Sequence, residues 1–130
     1  MKHFVSYHNA EVMGYTFEEA TAYSVVTRKH LDLKGQRIWS ISGEGQPRSY
    51  FLRETWIVDD TGPSDQAGFS HYARGSSGFR FNPPVPLKQL SWFRAFRESQ
   101  GNFGLGLNRI KDEFVGELEA LLGSKHTEEK

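Results

Sequence analysis

The middle of the chain contains two segments of strand-forming residues on either side of a glycine-rich stretch. Residues 37–42 read Arg-Ile-Trp-Ser-Ile-Ser, and residues 49–58 are rich in aromatic and β-branched side chains. Between them lies Gly43-Glu44-Gly45-Gln46-Pro47-Arg48, whose glycines and proline are typical of a turn. Proline also fits a turn better than a central strand, because it cannot donate a hydrogen bond to a neighbouring strand. This pattern predicts a β-hairpin, so the chain must contain a sheet.

Strict alternation along the second strand of the hairpin divides its side chains into two sets. One set is Tyr50, Leu52, Trp56 and Val58, and the other is Phe51, Arg53, Thr55 and Ile57. Because apolar residues occur in both sets, the strand is expected to be covered on both faces, as in a small barrel or a helix-flanked sheet.

The remaining patterns place strands early in the chain and helices late. Residues 3–8 are predicted to form a first strand, and residues 69–73 and 78–81 two further short strands. Apolar residues at helical spacing follow in two stretches, at Leu90, Phe93 and Phe96 and at Phe114, Val115, Leu118, Leu121 and Leu122. This order predicts an α+β fold with a mainly antiparallel, barrel-like β-sheet flanked by short helices.

Two further predictions concern the ends of helices. A short helix is expected through residues 18–20, with Thr16 or Thr21 accepting hydrogen bonds from its first free amides. Gly123 is expected to end the last helix, because glycine is common just after a helical segment.

The composition limits the class of protein. The 130 residues fit one domain, with 1–123 expected to form a single globular unit and 124–130 a frayed C-terminal tail. Cysteine is absent, which excludes disulfides, thiolate zinc sites and cysteine nucleophiles. The first residues contain no long apolar run, so neither a signal peptide nor a membrane span is expected. A cytoplasmic protein without a membrane partner is the expectation.

Charge is balanced overall but unevenly distributed. Residues 28–53 contain six basic and two acidic residues, and residues 74–109 contain six basic residues and one acidic residue. A neutral chain binds DNA non-specifically only weakly, because that binding depends on the number of phosphates that basic side chains neutralise. The two basic stretches would form a local positive patch if they shared a face, and ordinary solvated surface if they did not.

Two kinds of functional site, a phosphate-binding loop and a histidine site, have little support in this sequence. Gly43 and Gly45 lack the following Gly-Lys-Ser/Thr of a phosphate loop, and a strand follows them where a dinucleotide fingerprint needs a helix. The five histidines show no metal-ligand spacing, so no metal or cofactor is expected. His8 and His71 would act as a general acid–base pair only if the fold brings them together.

Aromatic residues interleaved with arginines are the stronger functional signal. Rings offer faces on which bases stack, and arginines donate hydrogen bonds to phosphates and base edges. Most rings are nevertheless expected to fill the core. Carboxamides offer a donor and an acceptor to a base edge, although they also satisfy loop backbone. The resulting candidate nucleic-acid-binding residues are Tyr7, His8, Asn9, Arg37, Trp39, Arg48, Gln100 and Asn102.

Three segments carry a resemblance to a known group of domains. They are Val26-Thr27-Arg28-Lys29-His30, Gly35-Gln36-Arg37-Ile38-Trp39-Ser40-Ile41 and the strand at residues 50–58. Together they resemble the PUA-like group, which includes the EVE, ASCH and YTH domains. Residues 92–104 are similar to small uncharacterised bacterial proteins, some of them associated with restriction systems. The PUA-like resemblance implies a module that binds a flipped or unstacked base in a pocket between barrel strands, and it transfers no individual binding residues.

The sequence thus favours a non-enzymatic nucleic-acid recognition module for DNA or RNA, including one that reads a modified or flipped base. One alternative is a small histidine-dependent nuclease or hydrolase that uses His8 or His71. Another is an accessory subunit that docks through the Leu90, Phe93 and Phe96 stripe or through the last helix. The oligomeric state is left open.

Overall fold

The computed structural model describes residues 1–9, 22–29, 31–104 and 106–129, with side chains described up to Ser124. The helix predicted through residues 18–20 lies outside these ranges. The strands are β1 (His3–Asn9), β2 (Ser24–Thr27), β3 (Arg37–Glu44), β4 (Ser49–Ile57), β5 (Asp60–Pro63), β6 (His71–Arg74), β7 (Gly78–Pro86) and β8 (Asn108–Arg109). The helices are α1 (Phe93–Ser99), a 3-10 turn (Gly101–Phe103) and α2 (Asp112–Glu129).

The strands form two sheets. The larger sheet has the order β7-β4-β3-β1-β8, in which only β1 and β3 are parallel neighbours. The smaller sheet has the order β2-β6-β5 and is antiparallel throughout. The predicted α+β class with mainly antiparallel strands is therefore confirmed. Among the described residues no strand pairing closes either sheet, so the structure contains two open sheets where a barrel-like sheet was expected.

The predicted hairpin is confirmed. Strands β3 and β4 pair antiparallel from Arg37 and Ile57 to Glu44 and Ser49. Gly45 has φ of +80° in the turn, a conformation that glycine adopts without a steric penalty. Gly43 lies in β3 rather than in the turn.

Strand β4 contains a bulge that its sequence pattern did not reveal. Leu52 pairs with Ile41, and Glu54 pairs with the preceding residue of β3, Ser40. Arg53 therefore lies between these two pairs as the extra residue of the bulge.

The bulge reverses the alternation of side chains along β4. Tyr50 and Leu52 pack in one hydrophobic core, whereas Trp56 and Val58 pack in the other. The prediction that these four residues share a face was wrong, because it assumed a regular strand.

Two hydrophobic cores lie on opposite faces of the larger sheet. The first is formed with α1 and α2 and contains Trp39, Leu52, Phe93, Phe96 and Leu118. The second is shared with the smaller sheet and contains Phe4, Ile38, Trp56, Val58 and Ala73. The predicted apolar stripe on α1 thus faces the first core, where Phe93 and Phe96 are buried.

Helix α2 continues to Glu129, so Gly123 does not end it as predicted. Glycine inside a helix costs about 1 kcal/mol relative to alanine, which is too little to stop a helix by itself. Within the described part of the chain, no helix has both the length and the apolar character needed to cross a membrane.

Candidate functional site

The side chain of Tyr7 crosses over the neighbouring strand β3 at Gly43. A Cβ atom added to Gly43 would lie 1.8 Å from the Tyr7 hydroxyl oxygen and 2.7 Å from its Cζ. Any larger residue at this position would therefore displace the ring. The glycine lets Tyr7 reach the end of the hairpin, where Arg48 Nη1 donates to the Tyr7 hydroxyl at 3.4 Å.

Three rings from separate elements meet beside this contact. Tyr7 stacks on Phe103, with ring centroids 4.7 Å apart and planes 12° apart. Tyr50 is tilted against both rings, at 6.1 Å from Tyr7 and 5.7 Å from Phe103. Asn102 and Phe103 have φ of 54° and 66°, so the left-handed 3-10 turn delivers Phe103 to the cluster.

Cationic side chains surround the two tyrosines. The guanidinium of Arg97 lies 5.5 Å from the Tyr50 ring centroid, and its Nη1 donates to the Tyr50 hydroxyl at 3.4 Å. The Lys88 ammonium donates to the backbone carbonyl of Arg48 at 3.0 Å. The last residue of the hairpin turn, the residues after β7 and helix α1 thus place three positive charges around the two tyrosines.

Arg97 and Lys88 form no ion pair with a carboxylate among the residues that the structure describes. The Nε–H of Arg97 is buried and has no hydrogen-bond partner there either. On the same helix, by contrast, the exposed Arg94 pairs with Glu98 at 3.3 Å.

An open cavity of about 350 Å³ adjoins this cluster. It is lined by Ser49, Tyr50, Phe51, Pro86, Lys88 and Gln89. The rings and the proline form an apolar wall, while the lysine and the glutamine supply polar groups. This combination of apolar surface and few polar groups is typical of ligand sites.

The structure gathers part of the predicted site. Tyr7 and Arg48 are in contact, and Asn102 is exposed in the turn that carries Phe103. Asn9 pairs with Gly43 at the end of β1. His8 points to the opposite face of the sheet from Tyr7, because adjacent strand residues alternate.

Trp39 and Gln100 are located inside the protein. Trp39 is fully buried and donates from Nε1 to His3 Nδ1 at 2.9 Å, so it offers no face to a base. Gln100 is 1% exposed, donating to the Arg109 carbonyl and accepting from Asn108 Nδ2. Both residues support the fold beneath the site.

Arg37 is half-buried beside Trp39. Its guanidinium lies 5.8 Å from the indole centroid, and Nη1 donates to Thr55 at 2.9 Å. Burial lowers the pKa of Arg37 from its ordinary value. The Cα register of β1 and β3 pairs Arg37 with His3, at the opposite end of the strands from Tyr7 and Asn9.

Sequence reasoning missed the cavity residues Tyr50, Lys88 and Gln89 as a group, and it missed the contact of Arg97 with Tyr50. The helical pattern of α1 indicated only that Arg97 lies off the apolar stripe, and the proline-rich stretch before Leu87 indicated only an extended path. Their convergence depends on the β4–β7 pairing, which joins segments far apart in the chain.

A buried carboxylate lies outside this cluster. Glu54, 1% exposed, accepts from the Tyr23 backbone amide at 2.9 Å and from Arg80 Nε at 3.0 Å. Burial raises the pKa of Glu54, and these hydrogen bonds oppose the shift only in part. The contact ties the larger sheet to the start of β2.

The two candidate histidines lie in different sheets, His8 in β1 and His71 in β6. Within the described ranges no group of three or more His, Asp or Glu side chains is arranged to hold a metal ion. Comparison with protein-family models, with curated proteins and with solved structures found no match to the chain.

Proposed function

We propose that the chain is a non-enzymatic nucleic-acid recognition module of PUA-like architecture that holds an unstacked base of DNA or RNA in the cavity beside Tyr50. The observation that carries the proposal is the Arg97–Tyr50 pair. A guanidinium without a carboxylate partner lies against a ring that also lines an open, partly apolar cavity.

Each part of the cavity suits a part of a nucleotide. The ring of Phe51 and the face of Pro86 give a base an apolar surface on which to stack, and Tyr50, packed against Phe93 and under the Arg97 guanidinium, forms the wall beside them. Lys88 and Arg97 supply the charge for the adjoining phosphates. The exposed carboxamide of Gln89 offers both a donor and an acceptor to the edge of the base.

The balanced charge of the chain sets the expected strength of binding. With Arg48, Lys88 and Arg97 as the phosphate contacts, the slope of log affinity against log salt is about −2, from about −0.7 per phosphate on a single strand. Affinity is therefore modest and limited to the site. Bases that leave the stack easily, such as mismatched or modified ones, are the preferred ligands.

A pair of variants on one helix tests the proposal. Arg97→Gln and Arg94→Gln each remove one positive charge from α1, but only Arg97 contacts Tyr50. In titrations of labelled oligonucleotides with normal, mismatched and modified bases, Arg97→Gln should weaken binding about tenfold to a hundredfold, because charged hydrogen bonds contribute about 1.5–3 kcal/mol. Arg94→Gln should stay close to the unsubstituted protein. No binding to any of these oligonucleotides at low salt would end the proposal.

A further inference from the structure

The outer face of the smaller sheet carries a second aromatic and cationic surface. Ala73 of β6 is fully buried in the second core, so its neighbours Tyr72 and Arg74 point away from that core. In the β5–β6 register Tyr72 lies opposite Gly62, and Arg74 lies opposite Asp60.

Tyr72 is held flat across strand β5. A Cβ atom added to Gly62 would lie 2.8–3.0 Å from three atoms of the Tyr72 side chain, Cε1, Oη and Cζ. The tyrosine hydroxyl donates to Asp60 Oδ2 at 3.1 Å. A glycine beneath the ring and a carboxylate at its tip thus fix its orientation before any ligand arrives.

Guanidinium groups accompany two rings of this region. Arg74 lies 4.3 Å from the Tyr72 ring centroid, and Arg28 lies 5.5 Å from that of Phe69. Arg28 Nε donates to the Gly68 carbonyl at 2.8 Å, which holds it in place. Both arginines are exposed, and neither forms an ion pair with a carboxylate in the described ranges.

We propose that this face is a second binding surface for single-stranded nucleic acid. A base stacks on the Tyr72–Arg74 pair, since bases stack on guanidinium planes as well as on rings, and Arg28 contacts the backbone phosphate. Asp60 accepts a hydrogen bond from the Tyr72 hydroxyl, and Asp59 accepts from the backbone amide and the hydroxyl of Ser76, so neither carboxylate pairs with Arg28 or Arg74. The proposal takes only the class of ligand from the proposed function and does not depend on the cavity.

Substitutions at Tyr72 separate the ring from its hydroxyl. Labelled single-stranded DNA and RNA 12-mers of one sequence, and the matching DNA duplex, are titrated at low salt. Tyr72→Leu should weaken single-strand binding about tenfold, from the worth of stacking one base. Tyr72→Phe keeps the ring but loses the hydrogen bond to Asp60, so it should bind more weakly than the unsubstituted protein and more tightly than Tyr72→Leu. Arg74→Gln leaves the ring in place and should weaken binding severalfold. This variant tests the surface even if Tyr72→Leu destabilises the fold.

The outcomes distinguish this surface from the cavity. If Tyr72→Leu and Arg74→Gln bind like the unsubstituted protein while Arg97→Gln binds more weakly, the second surface is overturned and the cavity stands. If Tyr72→Leu binds more weakly and Arg97→Gln does not, the second surface stands and the cavity is overturned. Equal affinity for the duplex and the single strands would also overturn the second surface, because a paired base cannot stack on a side chain. If the second surface stands, the tighter of the DNA and RNA 12-mers identifies the nucleic acid that it prefers.

Discussion

The hydroxyl of Tyr7 lies over Gly43, at a distance that leaves no room for a Cβ atom. The two residues belong to neighbouring parallel strands, and the missing side chain opens the path by which Tyr7 reaches Arg48 and Phe103. A glycine that looks like part of a turn in the sequence therefore shapes the aromatic cluster of the candidate site.

Gly43→Ala should destabilise the protein, whereas Gly116→Ala should not. The added methyl at position 43 meets the Tyr7 side chain, and overpacking of this kind costs about 1–3 kcal/mol. Gly116 lies in α2 with no atom within 4 Å of an added Cβ, so alanine there should stabilise by about 0.5–1 kcal/mol through helix propensity. Urea unfolding of both variants measures the difference. If Gly43→Ala were as stable as the unsubstituted protein, the close approach of Tyr7 to Gly43 would be contradicted.

Glu54 should make stability fall as pH rises. Its folded pKa is raised above the ordinary value of 4.5 by burial, so the folded state binds its proton more tightly than the unfolded state does. The stability that this proton preference contributes is present below pH 4.5 and is lost as pH rises through the folded pKa.

The difference in unfolding free energy between the unsubstituted protein and Glu54→Gln isolates this titration. As pH rises from 4 to 7, the unsubstituted protein should lose stability relative to Glu54→Gln. A difference that is constant with pH would show that the hydrogen bonds and the ion pair with Arg80 cancel the effect of burial, and a change in the opposite direction would show that they outweigh it.

His3 should titrate below its ordinary pKa of 6.5, because burial disfavours its charged form. The neutral Nδ1 accepts the Trp39 indole N–H, and protonation removes that acceptor. The contribution to stability is therefore complete above pH 6.5 and is lost as pH falls through the folded pKa. In ¹⁵N–¹H spectra the Trp39 indole signal should move at that pKa, while that of Trp92 serves as an internal control. A His3 pKa at or above 6.5 would contradict this account.

Local patterns predicted the hairpin, the fold class and the aromatic character of the site. The glycines and the proline mark the turn, and strand-forming residues mark β3 and β4, because these signals lie within a few residues of each other. The bulge at Arg53 was not predictable, since no glycine or proline marks it and it shows only in the pairing with β3.

Contacts between distant segments also explain why the positions of the site residues were not predicted. Trp39 beside Arg37 has the composition expected of a binding surface, yet its burial depends on α1 and α2 covering the sheet. Gln100 is a loop carboxamide in sequence and a buried link to β8 in the structure. Lys88 lies beside Tyr50 because β7 pairs with β4, and Arg97 reaches Tyr50 because α1 packs on the same core, and no local pattern contains either contact.

Photocrosslinking of a single-stranded oligonucleotide that carries 5-iodouracil tests the central claim most directly, because the reactive base reports the side chain on which it stacks. The account predicts a crosslink to Tyr50 or Phe51 in the cavity, identified by mass spectrometry and lost in Tyr50→Leu and Arg97→Gln but kept in Arg94→Gln. Crosslinks confined to Tyr72, or to residues away from both surfaces, would contradict the claim that the cavity holds the base.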